Sequence, residues 1–171
     1  MSTARFALLA GLAFGTAAAF SAPTVAAEEA AAQNAKISIV QAIATAEQKG
    51  MGKATEADFD DDKGGRWEVK VLSDGGSKLT EYYVDATSGQ ITGEEEQTFE
   101  KYFTMLKPEN FQKAQVQLKD AIGAAEALAK GKATSAEVER DGEAVSYEID
   151  VATADGDKDV KVDAMGKAML D

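Results

Sequence analysis

The chain of 171 residues contains no cysteine and no histidine. Without cysteine no disulfide can staple the fold and no thiolate nucleophile can form. Without histidine there is no Ser-His-Asp or Cys-His constellation. Zinc, copper and haem sites built on nitrogen or sulfur ligands are excluded as well. An enzyme made from this chain would have only carboxylate, lysine, tyrosine or serine chemistry. Basic residues are also scarce, 18 Lys and Arg against 30 Asp and Glu, for a net charge of −12. That balance repels nucleic acid and anionic membranes and suits solubility, cations or basic protein partners.

The one long apolar run, from Phe6 to Phe20 after Arg5, is interrupted by small residues. It is shorter than the roughly 20 residues a membrane helix needs. Pro23 and the small residues ending Val25-Ala26-Ala27 follow it. A basic start, a short apolar region and a small-x-Ala site read as a secretory signal peptide over 1–27, cleaved near Ala27. No cysteine stands after the run for lipid attachment, and no Arg-Arg pair suggests twin-arginine export. The expected location is periplasmic or secreted, with no membrane contact after cleavage. Residues 28–36 are Ala-rich and acidic without apolar periodicity, and read as a flexible lead-in.

What the chain does contain is a stretch written twice. Residues 42–57, AIATAEQKGMGKATEA, return as 121–136, AIGAAEALAKGKATSA, with nine of sixteen positions identical and no gap. Val84-Asp85-Ala86 returns as Val162-Asp163-Ala164, so the repeat covers a unit of about 55 residues, a size that is marginal alone. Ser38 and Gln41 form a capping box. Ile39, Ile43 and Ala46 follow at helical spacing, as do Leu118, Ile122, Ala125 and Leu128 in the second copy. Gly50 and Gly52, and later Gly131, are expected to end the helices in left-handed turns. A strand runs from Lys53 to about Asp60. Trp67, Val69 and Val71 alternate with charged residues, as do Tyr147, Ile149 and Val151. Loops at 73–78 and 155–159 close hairpins. The next strand places Tyr82, Val84 and Ala86 on one face and Leu79, Glu81, Tyr83 and Asp85 on the other. Asp85 and Gly89 suit a turn, with positive φ at the glycine.

Between the copies, Glu94 to Glu96 read as a helix N-terminus. Phe99, Tyr102, Phe103 and Leu106 form a helical stripe, stopped by Pro108. The expected architecture is α+β: two repeated units, each a helix packed on a small antiparallel β-sheet, at 37–92 and 116–171, joined by a helical connector over 93–115.

This order of submotifs resembles the PepSY domain family. The matching residues are Ile37-Ser38, Ala42-Ile43, Ala46, Gly52-Lys53, Trp67-Glu68-Val69-Lys70-Val71 and Val84 to Gly89. The second copy repeats them at Ala121-Ile122, Ala125, Gly131-Lys132, Tyr147 to Val151 and Val162-Asp163-Ala164. It departs at Gln117, which stands for the Ser, and at Met165, with one residue fewer before Gly166. The resemblance implies an α+β fold in a secreted bacterial protein. The family occurs in propeptides of secreted metallopeptidases and in stand-alone periplasmic proteins, with restraint of peptidase activity as its suggested role. It has no catalytic residues to carry over, so Asp85 and Asp163 read as turn-formers.

Three functional readings remain open. One is a non-catalytic binding module acting on a secreted peptidase or other protein, through a sheet edge or through the face that bears Leu79 and Tyr83; that face could equally join the repeats. Another is weak divalent-cation binding. Asp58, Asp60 and Asp62 alternate, as do Asp155, Asp157 and Asp159, although neither set fits a calcium loop: Lys63 and Val160 stand where glycine is required. The last is an enzyme with paired carboxylates, for which the sequence singles out no pair. No cofactor is implied.

Overall fold

The computed structural model describes residues 25–61, 64–97 and 108–171. The first unit contains α1 (Val25–Gln33), α2 (Ile39–Gly50), β1 (Lys53–Asp60), β2 (Arg66–Ser73), β3 (Lys78–Asp85) and β4 (Ile91–Glu96). A single 3-10 turn, Asp74–Gly76, closes the β2–β3 hairpin. The second unit contains α3 (Pro108–Lys113), α4 (Leu118–Ala129), β5 (Lys132–Asp141), β6 (Ala144–Thr153), β7 (Gly156–Val162) and β8 (Ala168–Leu170).

Helix α2 starts where its capping box lies. The Gln41 amide donates to Ser38 Oγ at 3.3 Å, and the Ser38 amide donates to Gln41 Oε1 at 2.9 Å. Ile39, Ala42, Ile43 and Ala46 are buried against the sheet. In α4 the buried stripe is Leu118, Ala121, Ile122, Ala125 and Ala129, whereas Leu128, expected inside, is 42% exposed. The helix ends also differ from expectation. The left-handed residues are Met51 (φ 50°) and Lys130 (φ 60°), not the glycines. Gly52 and Gly131 are required for another reason: a Cβ on either would lie 2.3 Å from the carbonyl oxygen of Leu72 or Ala152. The repeated Gly-Lys pair therefore marks where each helix end is pressed onto a strand.

The aromatic residue of each unit locks the entry to its helix. Trp67 Nε1 donates to the Ile37 carbonyl at 2.8 Å, and the Tyr147 hydroxyl donates to the Val116 carbonyl. Trp67 also meets Phe59 edge-on, with ring centroids 5.1 Å apart. Glu47 and Glu126, identical in the two copies, accept from the amides of Ala54 and Ala133 at 3.0 and 2.9 Å. Those residues begin the β-bulges in β1 and β5.

The units do not keep two separate small sheets. All eight strands form one antiparallel sheet in the order β4-β3-β2-β1-β5-β6-β7-β8. The join is β1 against β5, with Ala57 opposite Ala136, Glu56 opposite Glu137 and Asp58 opposite Ser135. Separate sheets would leave the backbone donors and acceptors of both strands unpaired at an edge, and pairing them removes two edges at once. The repeats thus meet side by side, and the Leu79/Tyr83 face is not their contact. Lys119 of α4 adds an ion pair to Glu47 of α2.

Two further expectations change. Residues 28–36 are not a flexible lead-in: α1 runs through most of them, and Ala32 is buried in the core. Glu94 to Glu96 lie in β4, because Tyr82, Glu81 and Thr80 of β3 offer them ladder partners. The first unit therefore extends past residue 92. Pro108 begins a helix, a first-turn position whose N–H needs no partner, and the helix it was expected to stop lies outside the described residues. The stripe of Phe99, Tyr102, Phe103 and Leu106 lies outside the described residues.

The two short helices reveal that each repeat begins earlier than its expected start at residue 37 or 116. Lys132 Nζ donates to the Gln33 carbonyl at 2.8 Å, and Lys53 Nζ donates to the Gln112 carbonyl at 2.9 Å. Each unit's leading helix is therefore held by the first strand of the other unit. Phe111 of α3 is fully buried, with the Lys53 ammonium 5.9 Å from its ring centre. None of the described helices is long and apolar enough to cross a membrane.

Candidate binding face

Helices α2 and α4 cover one face of the sheet, where Trp67, Val69, Val84, Tyr147 and Ile149 are buried. Strand alternation sends the intervening residues to the other face. There β1 presents Glu56, Asp58 and Asp60, and β2 presents Arg66, Glu68 and Lys70. Strand β3 presents Glu81 and Tyr83, and β5 presents Ser135, Glu137 and Glu139. Ser146, Glu148 and Asp150 follow on β6, then Asp157, Asp159 and Lys161 on β7. Most of these residues are half-buried or exposed.

The two halves of this face differ electrostatically. In the first unit Arg66 and Lys70 pair with three of the acids. Arg66 sits 2.9 Å from Asp60, also pairs with Glu68, and stacks its guanidinium 4.2 Å from the Tyr83 ring centre. Lys70 pairs with Glu56. The Tyr83 hydroxyl donates toward Glu95 at 3.2 Å and Glu81 at 3.3 Å, alternative acceptors for one proton. Burial, then those two carboxylates, push its hydroxyl up to about 12. In the second unit the acids accumulate. Glu137, Glu139 and Glu148 bring carboxylate oxygens within 4.8 Å of one another. Burial first, and neighbouring carboxylates second, raise Glu137, Glu148 and Asp150 above the ordinary carboxylate range. Among the described residues the cluster's ion pair is with Lys161, 3.7 Å from Glu139.

At the join, a cleft of about 290 Å³ opens between α1 and the sheet, lined by Glu28, Glu29, Ala32, Asp58, Ser135 and Asp150 among others. Burial pushes the Asp58 carboxyl up to about 7, against the opposing effect of the Ser135 hydroxyl, which donates to Asp58 Oδ1 at 2.6 Å. Glu29 is raised chiefly by a shared hydrogen bond with Asp157.

Asp60 is held by Arg66, Asp58 by Ser135, and Asp62 lies outside the described residues. Asp155 lies in the β6–β7 turn, while Asp157 and Asp159 belong to β7, since that strand starts at Gly156. Of the two partner-binding candidates, Tyr83 lies on the open face but Leu79 is only 2% exposed. It is packed opposite Leu72 and unavailable to a partner. Asp85 and Asp163 are turn-formers. Asp85 accepts from Ser88 N at 2.7 Å and Thr87 N at 3.2 Å, and Asp163 from Met165 N at 2.9 Å and Lys167 N at 3.0 Å. The strand-to-strand cluster at Glu137, Glu139 and Glu148 escaped sequence reading. Its members are separated along the chain, and only the β5–β6 register opposes Glu137 to Glu148.

The sequence matches the peptidase propeptide and YPEB domain family, PepSY, twice, over residues 36–95 and 115–168. The chain belongs to that family as a tandem member. It is a non-catalytic family, so the carboxylates of the cleft are not an enzyme's active site. No curated protein matches the chain. Its fold is similar to a crystal structure of a candidate lipoprotein from Clostridium difficile 630, with a TM-score of 0.50 and 16% identity. That likeness covers 84% of this chain and 98% of the other, and it concerns the fold alone.

Proposed function

We propose that this chain is a periplasmic or secreted binding module that restrains or modulates a peptidase, using the open face of the sheet. The observation that supports this reading is the asymmetry of the fold. Helices α2 and α4 cover one sheet face, while the other, over which α1 lies at the join, presents a broad field of carboxylates with Arg66, Lys70 and Lys161 as the bases among its described residues. A field of one sign steers a partner of the opposite sign and fixes its orientation. The partner would present a basic surface next to its substrate groove. Edge pairing is the weaker route, because β4 ends in three glutamates and β8 has three residues.

The test is inhibition of a secreted metallopeptidase from the same organism by the full chain recovered from the exported fraction. Dose-dependent slowing of peptide hydrolysis is expected, together with a complex in gel filtration. A Glu81→Lys/Asp159→Lys variant should need at least about tenfold more protein, the loss typical of reversed charges at an interface. Equal potency of that variant would remove the sheet face from the reading. Absence of both slowing and complex would refute peptidase restraint.

A further inference from the structure

The second unit's half of the sheet holds a group of like charges that, among the described residues, has one ion pair, between Lys161 and Glu139. Glu137 and Glu148 face each other across β5 and β6, and Glu139 lies two residues along β5. Their carboxylate oxygens lie within 4.8 Å of one another. Glu56, opposite Glu137 across the join, brings Lys70 with it, but Lys70 is committed to Glu56. Lys161 reaches Glu139 from β7 at 3.7 Å with nearly half of its side chain exposed, so it can swing away.

A separate observation points to a ligand. Ser146 is 1% exposed, and its hydroxyl has no hydrogen-bond partner. A buried hydroxyl left in that state destabilises the fold unless a ligand satisfies it. Ser146 lies directly opposite Glu139 and two residues before Glu148 on the same strand. Its side chain therefore emerges on the face of the three glutamates, beside them.

We infer that Glu137, Glu139, Glu148 and the Ser146 hydroxyl form a binding site for a hard divalent cation of calcium size. The donor set is all oxygen, as such ions require, with water completing the shell. Calcium bonds its oxygens at about 2.3–2.6 Å, so two ligands of one ion can stand about 5 Å apart. Carboxylate oxygens within 4.8 Å of one another fall inside that separation. Magnesium, at about 2.0–2.1 Å, demands near-octahedral geometry and gives up its water reluctantly, which an open site of strand carboxylates does not favour. The site is independent of the peptidase reading and uses none of the alternating aspartates.

The experiment is calorimetric titration of calcium chloride, and separately of magnesium chloride, into the full chain recovered from the exported fraction and stripped with chelator. One saturable calcium event is expected, with Kd about 10⁻⁴–10⁻³ M, the range of extracellular modules, and weaker binding of magnesium. Glu137→Gln and Glu148→Gln should each weaken calcium about tenfold, and Ser146→Ala severalfold, while Asp60→Asn on the other half of the face leaves the affinity unchanged. In chelator, Glu148→Gln should raise Tm, because it relieves repulsion. With calcium added, the wild-type Tm should rise more than the variant's. The Tm reading separates lost binding from lost folding. Calcium binding retained in a Glu137→Gln/Glu148→Gln double variant would reveal diffuse attraction to an acidic surface and overturn the site. No saturable event, equal magnesium affinity, or unchanged affinity in Ser146→Ala would overturn it too.

Discussion

Asp58→Asn should stabilise this protein, and only at neutral and alkaline pH. Asp58 sits at the strand join, facing Glu56 on its own strand, Lys70 from β2, Ser135 from β5, Asp150 from β6, and Glu28 and Glu29 from α1. Burial, with Glu56 adding to it, displaces the carboxyl from its ordinary 3.8 to about 7. A displacement of that size is worth about 4 kcal/mol against the folded state once the group is ionised. Because the cleft is open, water entry and movement of α1 reduce this to about 2 kcal/mol. The folded value is above the unfolded one. The favourable contribution is therefore complete below about pH 4 and is lost as pH rises through 7. Asparagine keeps an oxygen for the Ser135 hydroxyl but never ionises. At pH 8 the variant should melt about 8 °C higher, at roughly 4 °C per kcal/mol for a body of this size. At pH 4 the two should melt together. Thermal unfolding followed by circular dichroism between pH 4 and 8 reads both. A gap that stays constant with pH, or a variant less stable at pH 8, would refute the reasoning.

Gly52→Ala and Gly131→Ala should each cost about 1–3 kcal/mol in urea unfolding, because the added Cβ meets a carbonyl oxygen at 2.3 Å and a helix end must shift. Gly123→Ala, with nothing within 4 Å, should be neutral or stabilising. Trp67→Phe and Tyr147→Phe should each lose about 1 kcal/mol, since the Ile37 or Val116 carbonyl forfeits its donor. Lys132→Met should raise hydrogen exchange in α1 before it lowers global Tm, because it releases the Gln33 carbonyl. Unchanged exchange there would show that Ala32 packing alone holds the helix.

The helix-on-strands unit is legible in sequence because each of its features is local. Ser38 and Gln41 are three residues apart, and Trp67, Val69 and Val71 declare a strand by alternation alone. The assembly of the two units is not legible, for a physical reason. Residues 54–58 and 133–137 carry small and polar side chains that would suit a solvent-exposed edge as well as a paired one. The difference lies in backbone groups that every residue possesses. The same blindness hid the glutamate cluster, because a register between β5 and β6 joins what the chain separates. The leading helices were missed for a complementary cause. Ala-rich 28–35 lacks a periodic apolar stripe, since α1 buries chiefly Ala32 and relies on Lys132 from the other repeat. Yet one signal was present. Gln33 stands 20 residues before Lys53, and Gln112 stands 20 before Lys132. The repeat in sequence thus reaches further back than its apolar pattern. The reciprocal clasp explains why a tandem chain would retain it: neither unit completes its own end, so duplication here yields one interlocked body rather than two beads. The pairing of Arg66 and Lys70 with three acids on the first half of the open face, against the Lys161–Glu139 pair beside a cluster of glutamates on the second, then shows the copies diverging where the fold does not constrain them.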